Sequence, residues 1–129
     1  MTFNITGTGT RPSLALLCFH GTGSSAAIFR IQLSKLRLAL KNHFEFIFVD
    51  APIECGPGPG VLPLFARAGP FYSWFGIDNP TIESALPGIY QRLSEAVQDW
   101  EASKTHPESR IVGLLSFSEG TLVSSLLLW

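Results

Sequence analysis

The residues best placed to do chemistry are Ser118 and the run around it, Ser116-Phe117-Ser118-Glu119-Gly120. This is a small-x-Ser-x-Gly pattern set between an apolar run ending at Phe117 and another that continues through Leu122 and Val123. In a G-x-S-x-G elbow the serine occupies a strained strand-to-helix turn that lifts its oxygen above a sheet. The positions two before and two after must be small, because strand and helix backbones nearly touch there. Ser116 stands where glycine is usual and is slightly bulkier. As a bare pattern this arises by chance in many chains, and the bland alternative is a polar turn capping a core helix. A strand before it, a helix after it and a second glycine-bearing loop, His20-Gly21-Thr22-Gly23-Ser24-Ser25, make Ser118 a candidate nucleophile.

A serine that attacks an acyl group needs preorganised N–H donors for the developing oxyanion, worth about 3–4 kcal/mol per donor. The amide of Glu119, at the positive end of its helix, is one candidate. The backbone of Thr22 is the other, since flanking glycines let a substrate approach. A rival reading makes Gly21–Ser25 a phosphate cradle, with Asp50 as its ribose-binding acid, although the full G-x-G-x-x-G spacing is missing. The Glu119 carboxylate is a complication: two like charges about 4 Å apart repel by roughly 1–4 kcal/mol, depending on local dielectric. Turned to solvent, it costs less.

A serine also needs a base. Of the three histidines, His43 and His106 precede strands and so fall at the end of a parallel sheet opposite Ser118. Only His20 is near enough to be considered.

The elements that must position these residues alternate. Leu14–Phe19 is a continuous apolar run, as expected of a strand buried on both faces. A single amphipathic helix is expected from Ser24 to Lys41, capped by Ser24 or Ser25. Phe44–Asp50 is a second strand, rich in aromatic and β-branched residues. Residues 51–80, dense in proline and glycine, read as a long irregular segment. A helix is expected over residues 81–103, with a break near Pro87 and Gly88 and an apolar face of Ile89, Leu93, Val97 and Trp100. Arg110–Phe117 is the third strand. The order strand–helix–strand–helix–strand implies an α/β fold, a parallel sheet with flanking helices and spatial order 2-1-3. Active sites of such sheets gather beyond the carboxyl ends of the strands, where the loops at His20, Asp50 and Ser116 should meet. Loops as long as 51–80 are usually functional or disordered. Its aromatics, Phe65, Phe71, Tyr72 and Trp74, either pack on the core or form an apolar wall for an acyl substrate.

The bulk numbers limit the function. A chain of 129 residues, 46% hydrophobic and 15% charged, is one globular domain able to bury a core. Lys+Arg 9 against Asp+Glu 10 leaves no basic run for nucleic acid or anionic lipid. No apolar run approaches the roughly 18 residues of a membrane span. The opening residues lack the basic start of a signal peptide, so the Asn4 sequon carries little weight and a reducing, cytoplasmic setting is expected. Cys18 reads as a buried small hydrophobe, and Cys55 has no spaced Cys or His partner, so no metal site is expected.

The segments Leu16–Leu40, Phe44–Phe65, Gly69–Phe75 and Gly113–Gly120 together resemble the fungal serine hydrolase family of the α/β-hydrolases, in the branch of LovG-like thioesterases and esterases. The resemblance runs from about Leu14 onward. It implies a Ser-Asp-His triad, with the nucleophile at Ser118 and oxyanion donors at the amides of Thr22 and Glu119. It further implies no cofactor, and an acyl or polyketide substrate held as an ester or as a carrier-protein thioester. Glu119 stands where the family has glutamine, and the family's acid and histidine follow its nucleophile. Residues 1–129 are therefore expected to form a single domain, the N-terminal part of the fold, lacking the acid and histidine part. Two outcomes follow from that expectation: an inactive remnant or binding module, or a chain that associates with itself or a complementing chain through an exposed edge strand.

Overall fold

The computed structural model describes residues 11–76 and 81–129, so the Asn4 sequon lies outside the described residues. Three strands form a parallel sheet: β1 (Leu14–Phe19), β2 (Phe44–Val49) and β5 (Arg110–Ser116). Their order is β2-β1-β5, the expected 2-1-3 arrangement with the first strand central. Register decides where the loops emerge. Phe19 lies beside Val49 on one side and Ser116 on the other, so all three strands end at one level.

The helix expected over Ser24–Lys41 is two helices, α1 (Ala26–Gln32) and α2 (Ser34–Leu40), broken at Leu33. Packing explains the break. Ile28 and Phe29 of α1 are buried, whereas α2 buries no residue, so nothing holds the two on one axis. Ser25 is the cap, its hydroxyl accepting from the Ile28 amide at 3.1 Å. Helix α3 (Ile82–Ser103) runs unbroken through Pro87. The proline sits early in the helix and forgoes one backbone bond, while the neighbouring Gly88 lets the helix approach Pro52. Ala85, Ile89, Leu93 and Trp100 form its buried stripe.

Alternation along β2 sends residues to opposite faces. Phe48 meets Phe29 of α1 on one face, while Glu45 accepts a hydrogen bond from the Trp100 indole of α3 on the other. The crossovers from β1 to β2 and from β2 to β5 run in opposite directions across the sheet, and right-handed connection then places their helices on opposite faces.

The segment read as irregular contains two short antiparallel strands, β3 (Ile53–Cys55) and β4 (Phe71–Ser73). Three-residue strands separated by fifteen residues leave no periodicity to detect. Their pairing folds the proline–glycine loop back on itself. Beneath it Ile28, Val61 and Phe71 form a small cluster. The main core joins Leu17, Phe19, Val49, Trp74, Ile89, Leu93 and Val123. The last helix, α4 (Glu119–Leu128), adds Val123 to that core but leaves Leu122, Leu127, Leu128 and Trp129 exposed.

Candidate active site

Ser118 joins β5 to α4 with φ 55° and ψ −122°, and is the one non-glycine residue at positive φ among those described. An L-residue held there costs about 1–3 kcal/mol and persists only where the surroundings dictate it. Two contacts dictate it here. The Phe117 amide donates to the Phe19 carbonyl at 3.2 Å, keeping the chain on the sheet one residue beyond β5. Gly120 then brings α4 so close to β1 that a Cβ would overlap the Phe19 carbonyl oxygen. The Ser118 side chain is exposed and makes no capping bond to its own helix.

The first turn of α4 leaves one donor unspent. The Gly120 amide bonds the Phe117 carbonyl at 3.0 Å and the Thr121 amide bonds the Ser118 carbonyl at 2.9 Å. The Glu119 amide has no acceptor among the described residues, and neither has that of Thr22. Thr22 is carried on a loop pinned at both ends. At one end the Gly23 amide donates to Tyr72 and the Gly58 amide to Gly23, each at 2.9 Å. Gly23 has φ +66° with its α-carbon against Gly58, so only glycine fits. At the other end the Trp74 indole donates to the His20 carbonyl at 2.8 Å. Gly21, Thr22 and Ser118 line a cleft of about 60 Å³, together with Ser24, Gln32, Pro59, Gly60, Val61 and Phe117.

The Glu119 carboxylate is turned neither to solvent nor toward the Thr22 amide. It accepts from the Trp74 amide at 2.7 Å and from the Ser73 hydroxyl, which reaches both carboxylate oxygens at 3.1 Å. The negative charge is thus engaged by donors of β4 and its following residue, and α4 is tied to that hairpin.

His20, considered as a base from sequence, has no nitrogen to offer. The Ala51 amide donates to Nε2 at 3.0 Å, which leaves Nδ1 to carry the proton and donate to the Gly21 carbonyl at 2.7 Å. The ring is fully buried, and burial holds its pKa below the usual histidine value; the Gly21 carbonyl and the charges of Asp50 and Glu119 pull more weakly the other way. His43 and His106 lie before β2 and β5, at the far end of the sheet. His106 instead accepts from the Glu108 amide at 3.1 Å. No histidine of the chain reaches Ser118 as a free base.

The phosphate-cradle reading fails on the same accounting. Asp50 accepts from the Ala26 amide at 2.8 Å and Ser25 from the Ile28 amide, so the chain's own side chains occupy two of the donors at the start of α1. A carboxylate already sits where a phosphate would go.

Of the two readings of the long loop's aromatics, core packing or an acyl-binding wall, packing contacts are found for all four. Trp74 is fully buried, stacked at a tilt on His20 with centroids 5.3 Å apart. Phe71 is buried beneath the loop with Phe65 partly buried against its cluster, and Tyr72 packs half-buried on the main core. None of the four lines the cleft; Val61, Pro59, Phe117 and Gln32 do. Phe117 was within reach of sequence reasoning as the residue before the serine, whereas Gln32 and Val61 needed the fold. Cys18 is buried with its thiol pushed up to about 12 by desolvation, as a core residue should be. Among the described residues no cluster of metal-ligating side chains occurs, and no helix is long and apolar enough to cross a membrane.

Comparison with known proteins identifies the family. Residues 10–129 match the family model described as serine hydrolase (FSH1). Esterase mlcF of Penicillium citrinum is 49% identical over 126 residues, covering 92% of this chain and 49% of the relative. The dihydromonacolin L-[lovastatin nonaketide synthase] thioesterase of Aspergillus terreus is 50% identical over 121 residues, covering 89% and 46%. Esterase mokD of Monascus pilosus is 43% identical over 133 residues, covering 89% and 50%. The chain thus spans about half the length of these relatives. No solved structure matches it. With a family model matching residues 10–129, the chain belongs to the serine hydrolase (FSH1) family.

Proposed function

We propose that this chain carries the nucleophile and oxyanion half of a serine esterase or thioesterase that cleaves an acyl ester or a carrier-protein thioester in fungal polyketide metabolism. Ser118 attacks the acyl carbon, and the amides of Thr22 and Glu119 receive the oxyanion. The observation that carries the reading is the strained, exposed Ser118 beside two amides with no acceptor among the described residues. Val61 and Phe117 give the acyl chain its apolar contact, with Phe65 and Phe71 behind them. The relatives' names supply the substrate class: esterases, and a thioesterase acting with a polyketide synthase. No metal or organic cofactor enters this scheme. The two free cysteines suit a reducing compartment, which is the cytoplasm.

The general base comes from outside residues 1–129, because both ring nitrogens of His20 are spent and the other histidines lie at the far end of the sheet. The acid and histidine belong either to the rest of a chain of the relatives' length or to a second chain docked at the open edge of β5. Loss of triad partners costs about 10⁴–10⁶ in turnover. The chain alone is therefore expected to react slowly with a fluorophosphonate probe. A chimera completed with the remainder of the Penicillium citrinum relative is expected to react at an enzymatic rate, and to lose the reaction in Ser118→Ala. Labelling of the chimera that survives Ser118→Ala would remove Ser118 as nucleophile.

A further inference from the structure

At the end of the sheet opposite Ser118 lies a groove of about 860 Å³ between α2 and the start of β2. Its lining carries the cations Arg11, Arg30, Arg37 and Lys41 and the apolar side chains of Leu38, Phe44 and Phe46. The four cations are nearly half of the nine lysines and arginines in a chain whose net charge is −1. None of them forms an ion pair among the described residues, where both salt bridges lie elsewhere, at Arg92 and Lys104. Glu45, the one acid on the groove wall, accepts instead from the Ser13 hydroxyl and the Trp100 indole, each at 3.0 Å.

Two of the cations are also held in place. Arg30 lies over the Phe48 ring at 5.7 Å from its centroid, and Phe48 stacks on Phe46. The Arg37 Nε donates to the Arg30 carbonyl at 3.0 Å. Two guanidinium groups are thus ordered beside an aromatic surface, which reduces the entropy lost when an anion binds. The surface beneath them is left unfinished by the fold: α2 buries no residue, Leu38 is 66% exposed, and β2 is the outer strand of its sheet.

We propose that this groove docks an acidic, amphipathic segment of a partner protein, whose apolar side chains cover Leu38, Phe44 and Phe46 while its carboxylates meet Arg11, Arg30, Arg37 and Lys41. Charge complementarity selects the occupant. A lining that mixes cations with apolar side chains fits carboxylates and aliphatic side chains on one segment. A nucleic acid would leave Leu38, Phe44 and Phe46 uncovered, and it would meet a molecule that is acidic overall. The inference is independent of the hydrolase reading, because the groove and Ser118 lie at opposite ends of the sheet.

The test is fluorescence anisotropy with the full 129-residue chain and a labelled amphipathic peptide of glutamate and leucine, against the same peptide with lysine for glutamate. The glutamate peptide is expected to bind, the lysine peptide not to, and affinity should fall as salt rises. Arg30→Glu with Arg37→Glu should weaken binding about tenfold or more. Arg11→Glu with Lys41→Glu, which disturbs no hydrogen bond among the described residues, should do the same with an unchanged circular dichroism spectrum. Equal binding of the two peptides, no binding, or affinity untouched in both double variants would overturn the proposal. So would binding of single-stranded oligonucleotide or phosphatidylserine vesicles in place of the peptide. Self-association abolished by these same variants would overturn it too, by assigning the groove to a second copy.

Discussion

At the scale of single residues, the site is made of groups whose alternatives have been used up. His20 is the clearest case, with a proton on Nδ1, an acceptor at Nε2 and no contact with water. Its folded pKa lies below the 6.5 of the free side chain. The unfolded chain therefore binds a proton that the folded chain refuses, and stability present above pH 6.5 is lost as pH falls below it toward the folded value. Urea midpoints are expected to drop on going from about pH 7.5 to about pH 5.5, and the slope should flatten in His20→Asn. A slope identical in both proteins would assign the acid sensitivity elsewhere. Glu119 gives a second test, because its carboxylate satisfies the Trp74 amide. Glu119→Ala orphans that donor and is expected to cost about 1–3 kcal/mol in urea unfolding. Glu119→Gln keeps an acceptor and should cost less.

At the scale of elements, the sequence was most legible where burial imposes a period. The three strands of the main sheet, their order and the apolar face of α3 follow from runs and spacings in the sequence. The elbow was legible for the same reason, since it needs only small residues around a serine between two apolar runs. What escaped were features set by tertiary contact. The break at Leu33 reflects α2 having nothing to pack on, and the β3–β4 pair joins residues far apart in a proline–glycine stretch. For Trp74 and Phe71 the sequence left core packing and a substrate wall both open, because a loop assignment says nothing about which way a side chain turns. The glycines separate into those that hold elements together and those that do not. Gly120→Ala drives a methyl into the Phe19 carbonyl at the contact of α4 with β1, and is expected to cost about 3 kcal/mol. Gly60→Ala meets nothing within 4 Å and should stay within about 0.5 kcal/mol of the parent. Chemical denaturation of the two variants side by side checks the pair, and equal losses would contradict the close approach.

At the scale of the whole molecule, its apolar surface is unevenly distributed. Phe75, Ile82, Leu122, Leu126 and Trp129 surround an apolar groove of about 480 Å³ along α4. The adjacent β5 is an outer strand with no fully buried residue. Unpaired strand edges and contiguous apolar patches favour association. The isolated chain is expected to elute from size exclusion above its monomer mass of 14.1 kDa and to bind a hydrophobic dye. Leu122→Lys with Trp129→Lys should shift it toward the monomer and quench the dye signal. A dye-silent monomer in the parent would show that these residues close a self-sufficient domain.

The backbone at Ser118 has a consequence of handedness. Inverting φ 55° and ψ −122° gives −55° and 122°, an ordinary conformation for an L-residue. The observed angles are therefore the comfortable ones for a right-about mirror residue, a D-serine. A chain assembled chemically with D-serine at this one position would relax its backbone while moving the hydroxyl to the other side of the α-carbon. The strain at this turn is thus a matter of handedness alone: it belongs to an L-amino acid held at these angles and would vanish for its mirror image.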